Sequence, residues 1–279
     1  MIRSFILKNE YGQQYPLNDP RTGFMQNPTG LGNTKEFSFV AIGSAWMANY
    51  IRNAQSMIGC EILFAGPNPY DTYAALARFI RASKKLTLVY TTSYGTFYKD
   101  VAVVTYEKTE LTSGGVLVCP TTFAATSLWY SPVSSNITIN SGDLLYLPFA
   151  LPARFNDSTF GNIPVTIDGS EPAPFRVKLH GPIAKPSIVL SVDGAELYRA
   201  DIDYSASSGE SINYSSVDDD LYCYHETAAG VKTNLISYMD IENANFFKLP
   251  VGSSTLKITS TGSMTAPVII NIYNLYGAV

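Results

Sequence analysis

Charge is scarce in this chain. Asp, Glu, Lys and Arg make up 15% of its 279 residues, against about a quarter in ordinary soluble domains. The 19 basic and 23 acidic residues leave a net charge of −4, which argues against the clustered Lys/Arg groove that grips nucleic-acid phosphates. Histidine occurs twice, at His180 and His225, so imidazole-based metal or acid–base chemistry has little to draw on. Cys60, Cys119 and Cys223 are odd in number and far apart. They fit neither a disulfide framework nor a zinc site, and read as buried thiols in a reducing compartment. Both tryptophans, Trp46 and Trp129, lie in the front half. No run reaches the roughly 18 apolar residues of a membrane span. Residues 1–8 alternate and carry charge early, unlike the long apolar core of a signal peptide. The sequons at Asn136, Asn156 and Asn213 then read as accidents of a Ser/Asn-rich surface, and synthesis and assembly are expected in a cytoplasm.

What is plentiful is apolar and aromatic. The chain is 46% hydrophobic, with 19 Tyr and 14 Phe, enough for two modest domains or one large one. Aromatics favour strands and protein interfaces. A surface poor in charge suits a subunit packed against others, or a β-rich protein whose surface is Ser, Thr, Asn and Tyr.

The front half reads as strands with one helix. Residues 4–7, 37–42, 61–64 and 86–90 are predicted strands, residues 18–33 a Gly/Pro/Asn-rich loop, and residues 46–55 resolve as neither. The helix is predicted over 69–83. Asn68 stands at its cap, Pro69 in its first turn and Asp71 three residues past the cap; Tyr73, Leu76, Ala77 and Ile80 make one stripe. Arg78, Arg81, Lys84 and Lys85 complement its C-terminal dipole. Val101, Val103 and Thr105 alternate with Ala102, Val104 and Tyr106, predicting a strand covered on both faces. Gly114-Gly115 turns it into residues 116–123. From Ser131 on, short strands and turns dominate. Ile163, Val165 and Ile167 alternate, as do Phe175, Val177 and Leu179, and residues 188–192 run into the hairpin signal Asp193-Gly194. Residues 210–214 and 221–225 follow. Phe246 to Gly252 forms a Pro/Gly turn before strands carrying Leu256 and Ile258, then Val268, Ile270 and Ile272. The fold class is mainly β: a front domain with one helix, 1–133, and an antiparallel sandwich or jelly roll, 134–279, joined across residues 131–135.

Catalysis needs convergent titratable groups, and none gather here. His225 and Glu226 are neighbours on a strand and point to opposite faces. His180 reads as a turn residue. Asp218, Asp219 and Asp220 lack calcium-loop spacing and read as a solvated turn. Asp201 and Asp203, at i and i+2, share a strand face; a glycosidase pair is the sharp reading and a polar outward face the ordinary one. Trp129 and Tyr130 are expected to pack between the domains rather than stack on a sugar. No catalytic, cofactor or metal-binding residue is expected, and the protein is expected not to be an enzyme.

Four segments together resemble the distal tail protein family of long-tailed phages of Gram-positive bacteria. They are residues 5–12 with Tyr15-Pro16-Leu17; Pro28-Thr29-Gly30-Leu31-Gly32; residues 108–111, 115–117 and 127–130; and residues 180–188 with Gly209-Glu210 and 246–252. Each is weak alone, and the order and spacing carry the resemblance. Lys185 departs from it, standing where an asparagine is expected before Pro186. The resemblance implies that 1–133 builds a homo-hexameric ring and that 134–279 is a galectin-like sandwich. It implies a baseplate hub at the virion tail tip. The partners would be the tail tube protein, the tail-associated lysin or tail-tip protein, and receptor-binding proteins on the outer domains; DNA would only pass through the channel. The alternative is a carbohydrate-binding sandwich for host-wall polysaccharide, against which the Trp-free back half speaks.

Overall fold

The computed structural model describes residues 3–138, 162–240, 246–261 and 267–279. The chain divides into two units, one of Met1–Ser131 with Tyr276–Val279 and one of Pro132–Leu275.

The first unit is built from β1 (Ser4–Asn9), β2 (Gln14–Pro16), β3 (Asn18–Asp19), β4 (Gly23–Thr29), β5 (Lys35–Ile42), β6 (Ala45–Asn53), β7 (Met57–Phe64), α1 (Pro69–Ala82), β8 (Leu86–Thr91), β9 (Thr96–Tyr106), β10 (Leu117–Ala125) and the start of β11 (Trp129–Thr138). β9 is the pivot. Its first half pairs with β8, its second half with β10, and Tyr98 with Tyr130 of β11. Beyond β8 come β1 and β2; beyond β10 come β7, β4 and β3. The inward residues alternate, as a half-buried strand requires. Phe5 and Leu7, Ile58, Cys60, Ile62 and Phe64, Cys119 and Phe123 share one core with Leu76 of α1 and Trp129.

Several expectations change here. Residues 18–33 are not all loop, since β3 and β4 lie within them. Their turn-forming residues sit where the β4–β7 register shifts, between Gln26 and Thr29. Asn27 there takes φ 48°, a left-handed conformation that Asn tolerates, and Pro28 is accommodated at a bulge near the sheet edge. β9 is covered on one face only, because Val101 is buried while Ala102 and Val104 are exposed. Asn68 occupies the N-cap, but its side chain makes no capping bond. Its carbonyl instead accepts from the Thr72 amide and hydroxyl. At the other helix end the Glu10 carboxylate accepts from the Lys84 and Lys85 amides, which holds its pKa below the usual range. The stretch 131–135 lies in β11, and the units divide within it, between Ser131 and Pro132.

The Pro28–Gly32 loop is fixed from both sides. Gly30 has φ 74°, and a Cβ there would collide with the Met57 carbonyl. Leu31 offers its carbonyl to Trp129 Nε1 at 2.8 Å.

The second unit stacks two sheets. One runs β20 (Lys232–Asn234), β19 (Asp220–Glu226), β18 (Ser211–Val217), β13 (Phe175–His180), β22 (Pro267–Tyr276), with β11 next to β22. The other runs β12 (Asn162–Ile167), β21 (Gly252–Thr259), β15 (Ser187–Val192), β16 (Ala195–Asp201). A short pair, β14 (Ile183–Ala184) and β17 (Ser205–Ala206), stands apart. Ile163, Val165, Ile188, Leu190, Leu256 and Ile258 face Phe175, Val177, Leu179, Ile212, Tyr214 and Ile270 across the core. Asp193 and Gly194, with φ 51° and 82°, form the two-residue β15–β16 turn, the primed geometry that matches strand twist. In the closing segment Phe247 and Leu249 are core residues. Lys185 takes φ 45°, a left-handed position that favours Asn and that accounts for the asparagine expected there.

Candidate assembly surface

β5 and β6 form a two-stranded sheet of their own. Among the described residues no further strand joins it, and every residue of both strands is exposed except Ser38, which is half-buried. Register assigns the faces. Phe37 pairs with Ile51, Phe39 with Ala48 and Ala41 with Trp46, and these six apolar side chains share one face, with Lys35 and Asn53 at its base. Phe37 and Phe39 stack at 5.7 Å, and Trp46 is 73% exposed. The other face begins polar at the base, where Arg52 meets Glu36 at 2.7 Å, and turns apolar at the tip with Val40, Met47 and Ile42. Residues 37–51 include no charged side chain. An isolated hairpin is marginal in water, and large exposed apolar patches mark interaction sites.

A second charge-poor surface lies on the outer side of β7, β10 and residues 101–106 of β9. Met57, Pro120, Ala102 and Val104 are exposed there. Glu61 is the one charged residue in these strands, and its carboxylate accepts from Gln26 Nε2 at 2.7 Å.

The residues singled out for chemistry are dispersed. His225 is buried, its Nε2 3.1 Å from Glu210 Oε2 and its ring against Tyr204. Glu226 faces the other way and pairs with Lys178 at 3.2 Å. His180 ends β13 before the Gly181-Pro182 turn, and burial together with nearby Lys178 lowers its pKa. Asp218 pairs with Lys248 and Asp220 with Arg176, each at 2.6 Å. Asp201 and Asp203 do not share a strand face. β16 ends at Asp201, which meets Arg199, whereas Asp203 lies past the Ile202–Met239 bridge and meets Lys185 at 2.7 Å. Trp129 and Tyr130 both make contacts within the first unit. Trp129 is fully buried; Tyr130 stacks on Tyr98 and donates to Asp100. The three cysteines are free and buried, and burial pushes Cys60 and Cys223 up to about 12. Of the sequons, Asn213 is buried, Asn136 lies in β11, and Asn156 falls outside the described residues.

Reading the sequence alone missed the hairpin surface. Its signal was present as an uncharged apolar stretch, but such a stretch is ordinarily core.

The fold is that of solved phage tail proteins. A component of the phage p2 baseplate in its activated conformation with calcium superposes with a TM-score of 0.68 at 16% identity, and its strontium counterpart with 0.67 at 14%, all of both chains being covered in each case. The Dit protein of phage SPP1, described as a paradigm of the hub adsorption apparatus in phages infecting Gram-positive hosts, gives 0.64 at 12% identity over 97% of this chain and 98% of that one. No curated protein sequence matches the chain. The family described as distal tail protein, N-terminal domain, matches residues 4–126. That segment, which holds the first unit's core strands, its helix and the exposed hairpin, is thus similar to the N-terminal domain of distal tail proteins.

Proposed function

We propose that the protein is a structural hub of a phage or prophage baseplate. Six copies close into a ring that joins the tail tube to the tail-associated protein and carries the host-adhesion device. The apolar face of the β5–β6 hairpin carries this reading. A ring of identical subunits repeats one heterologous contact until the rotation closes, so each copy needs two different patches. The Phe37–Phe39–Trp46 face is one; the charge-poor outer side of β7, β10 and β9 is a suitable other. Burying one large apolar side chain contributes roughly 1.5–3 kcal/mol, so a handful outweighs the cost of association.

The first unit is the ring-forming part and the second the outward scaffold for receptor-binding proteins. The protein works by shape and turns over no substrate, in keeping with the dispersal of its titratable side chains. A net acidic chain suits a channel through which DNA passes without being gripped. Light scattering behind size-exclusion chromatography tests the reading, with negative-stain images of the same fraction. A closed ring of six subunit masses is expected. A monomer at high concentration, with no ring even beside its tail partners, overturns it.

A further inference from the structure

The outer face of the second unit's larger sheet is organised beyond what a solvated face needs. Strand β18 is buried along both faces from Ser211 to Ser216. Ile212 and Tyr214 point to the core, so Ser211, Asn213 and Ser215 form a floor on the opposite side. Register sets what stands beside them. Ser215 lies between Arg176 and Tyr222, Asn213 between Lys178 and Tyr224, and Ser211 between His180 and Glu226. β22 extends the first two rungs with Asn271 and Ile269, and β20 extends the last two with Asn234 and Lys232.

The longer side chains are tied in place above that floor. Arg176 bonds Asp220 at 2.6 Å and lies 5.4 Å from the Tyr273 ring centroid. Lys178 donates to Glu226 at 3.2 Å, and Ser211 donates to the same carboxylate. Lys232 sits 4.6 Å from the Tyr224 ring, and Tyr222 and Tyr224 lie 5.0 Å apart. Strands about 5 Å apart put the cationic column and the tyrosine column about 10 Å from each other, and rungs recur about every 7 Å. Those spacings suit a ligand one pyranose wide and two or three units long.

The chemistry selects among ligands. The main charges pair off within the face, leaving little field for a polyanion. On the rungs of β18, Val217 and Ile269 are the aliphatic side chains among the described residues, too few for a lipid or an apolar peptide. A sugar offers paired hydroxyls and a C–H face. Tied polar side chains meet the hydroxyls with little entropy left to lose, and tyrosine rings give rigid amphipathic contact.

We propose that this face binds a neutral oligosaccharide, with Tyr222 and Tyr224 stacking on sugar C–H faces and Arg176, Lys178, Glu226 and Asn271 bonding hydroxyls. It is a second role, independent of ring closure. The test is calorimetric titration of the full chain with chitotetraose, β-1,4-galactotetraose and maltotetraose. At least one is expected to bind saturably. Tyr224→Ala and Lys178→Met should each weaken that binding about tenfold, with subunit mass and melting temperature unchanged. Binding by none of the three, or equal binding by both variants, overturns the proposal. So does a receptor-binding protein that docks on wild type and is lost in both variants while no sugar binds, since the face is then a protein-docking surface. Ring mass measured on the same samples keeps this failure distinct from failure of the hub reading.

Discussion

Gly30 shows how one backbone position holds a loop to a core. Alanine there meets both left-handed strain and the Met57 carbonyl, so Gly30→Ala is expected to cost roughly 2–4 kcal/mol. Urea unfolding of the first unit's signal measures it, and an unchanged midpoint would show that the loop relaxes freely. Lys99 makes a different demand. It is fully buried beside Trp129, and burial lowers its pKa from 10.5 to about 8. Between those values the unfolded chain holds a proton that the folded one has released, so this group's contribution to stability rises with pH. The gain is up to ~3 kcal/mol. Cys60 and Cys223, with pKa values raised to about 12, work the other way, losing stability as pH climbs from 9. Comparison with Lys99→Met cancels them, because both proteins keep both thiols. Wild type should gain on the variant from pH 7.5 to 10.5; a constant gap would place the ammonium in contact with water. Neither residue could be read this way from its neighbours in sequence. Gly30 was visible only as part of a turn-rich motif, and Lys99 stands in an ordinary strand whose coverage depends on Trp129, thirty positions on.

Elements with local causes were legible and elements with distant causes were not. The helix declared itself through Pro69 and the Tyr73–Leu76–Ala77–Ile80 stripe, and the β15–β16 hairpin through Asp193-Gly194. β4 hid behind Gly23, Asn27 and Pro28, whose turn chemistry serves a bulge. β6 hid because residues 45–53 obey no single period across the register shift beside Ser38. The exposure of the whole hairpin was invisible, since periodicity reports which residues share a face and not whether anything covers it. The polar face of β18 was half legible: its alternation marked a strand, but its rungs join residues as far apart in sequence as Arg176 and Asn271. The hairpin permits a clean separation of assembly from folding. Phe39→Asp combined with Trp46→Asp alters exposed positions that contribute little to the subunit's own core, so unfolding free energy should move by less than about 0.5 kcal/mol per site. The assembled species should be lost. A ring that persists in the double variant removes the hairpin from the contact.

At the scale of the molecule, the fold class and the resemblance in residues 4–126 were readable because turn motifs stand in order along the chain. The return of the last residues to the first unit was not. The expected limit at 133 falls within β11, and the final residues return to the first unit, where Tyr276 meets Phe97 edge-on at 5.3 Å and Val279 packs on the core. Deleting Tyr276–Val279 is therefore expected to destabilise the first unit by about 2–3 kcal/mol, seen as a lower thermal midpoint for its transition. An unaltered midpoint would make the tail's packing incidental.

That return has a mechanical corollary. The second unit leaves along β11 and comes back along β22, adjacent strands of one sheet. Two covalent passages therefore tie the units together, and a protease that severed one would leave the other intact.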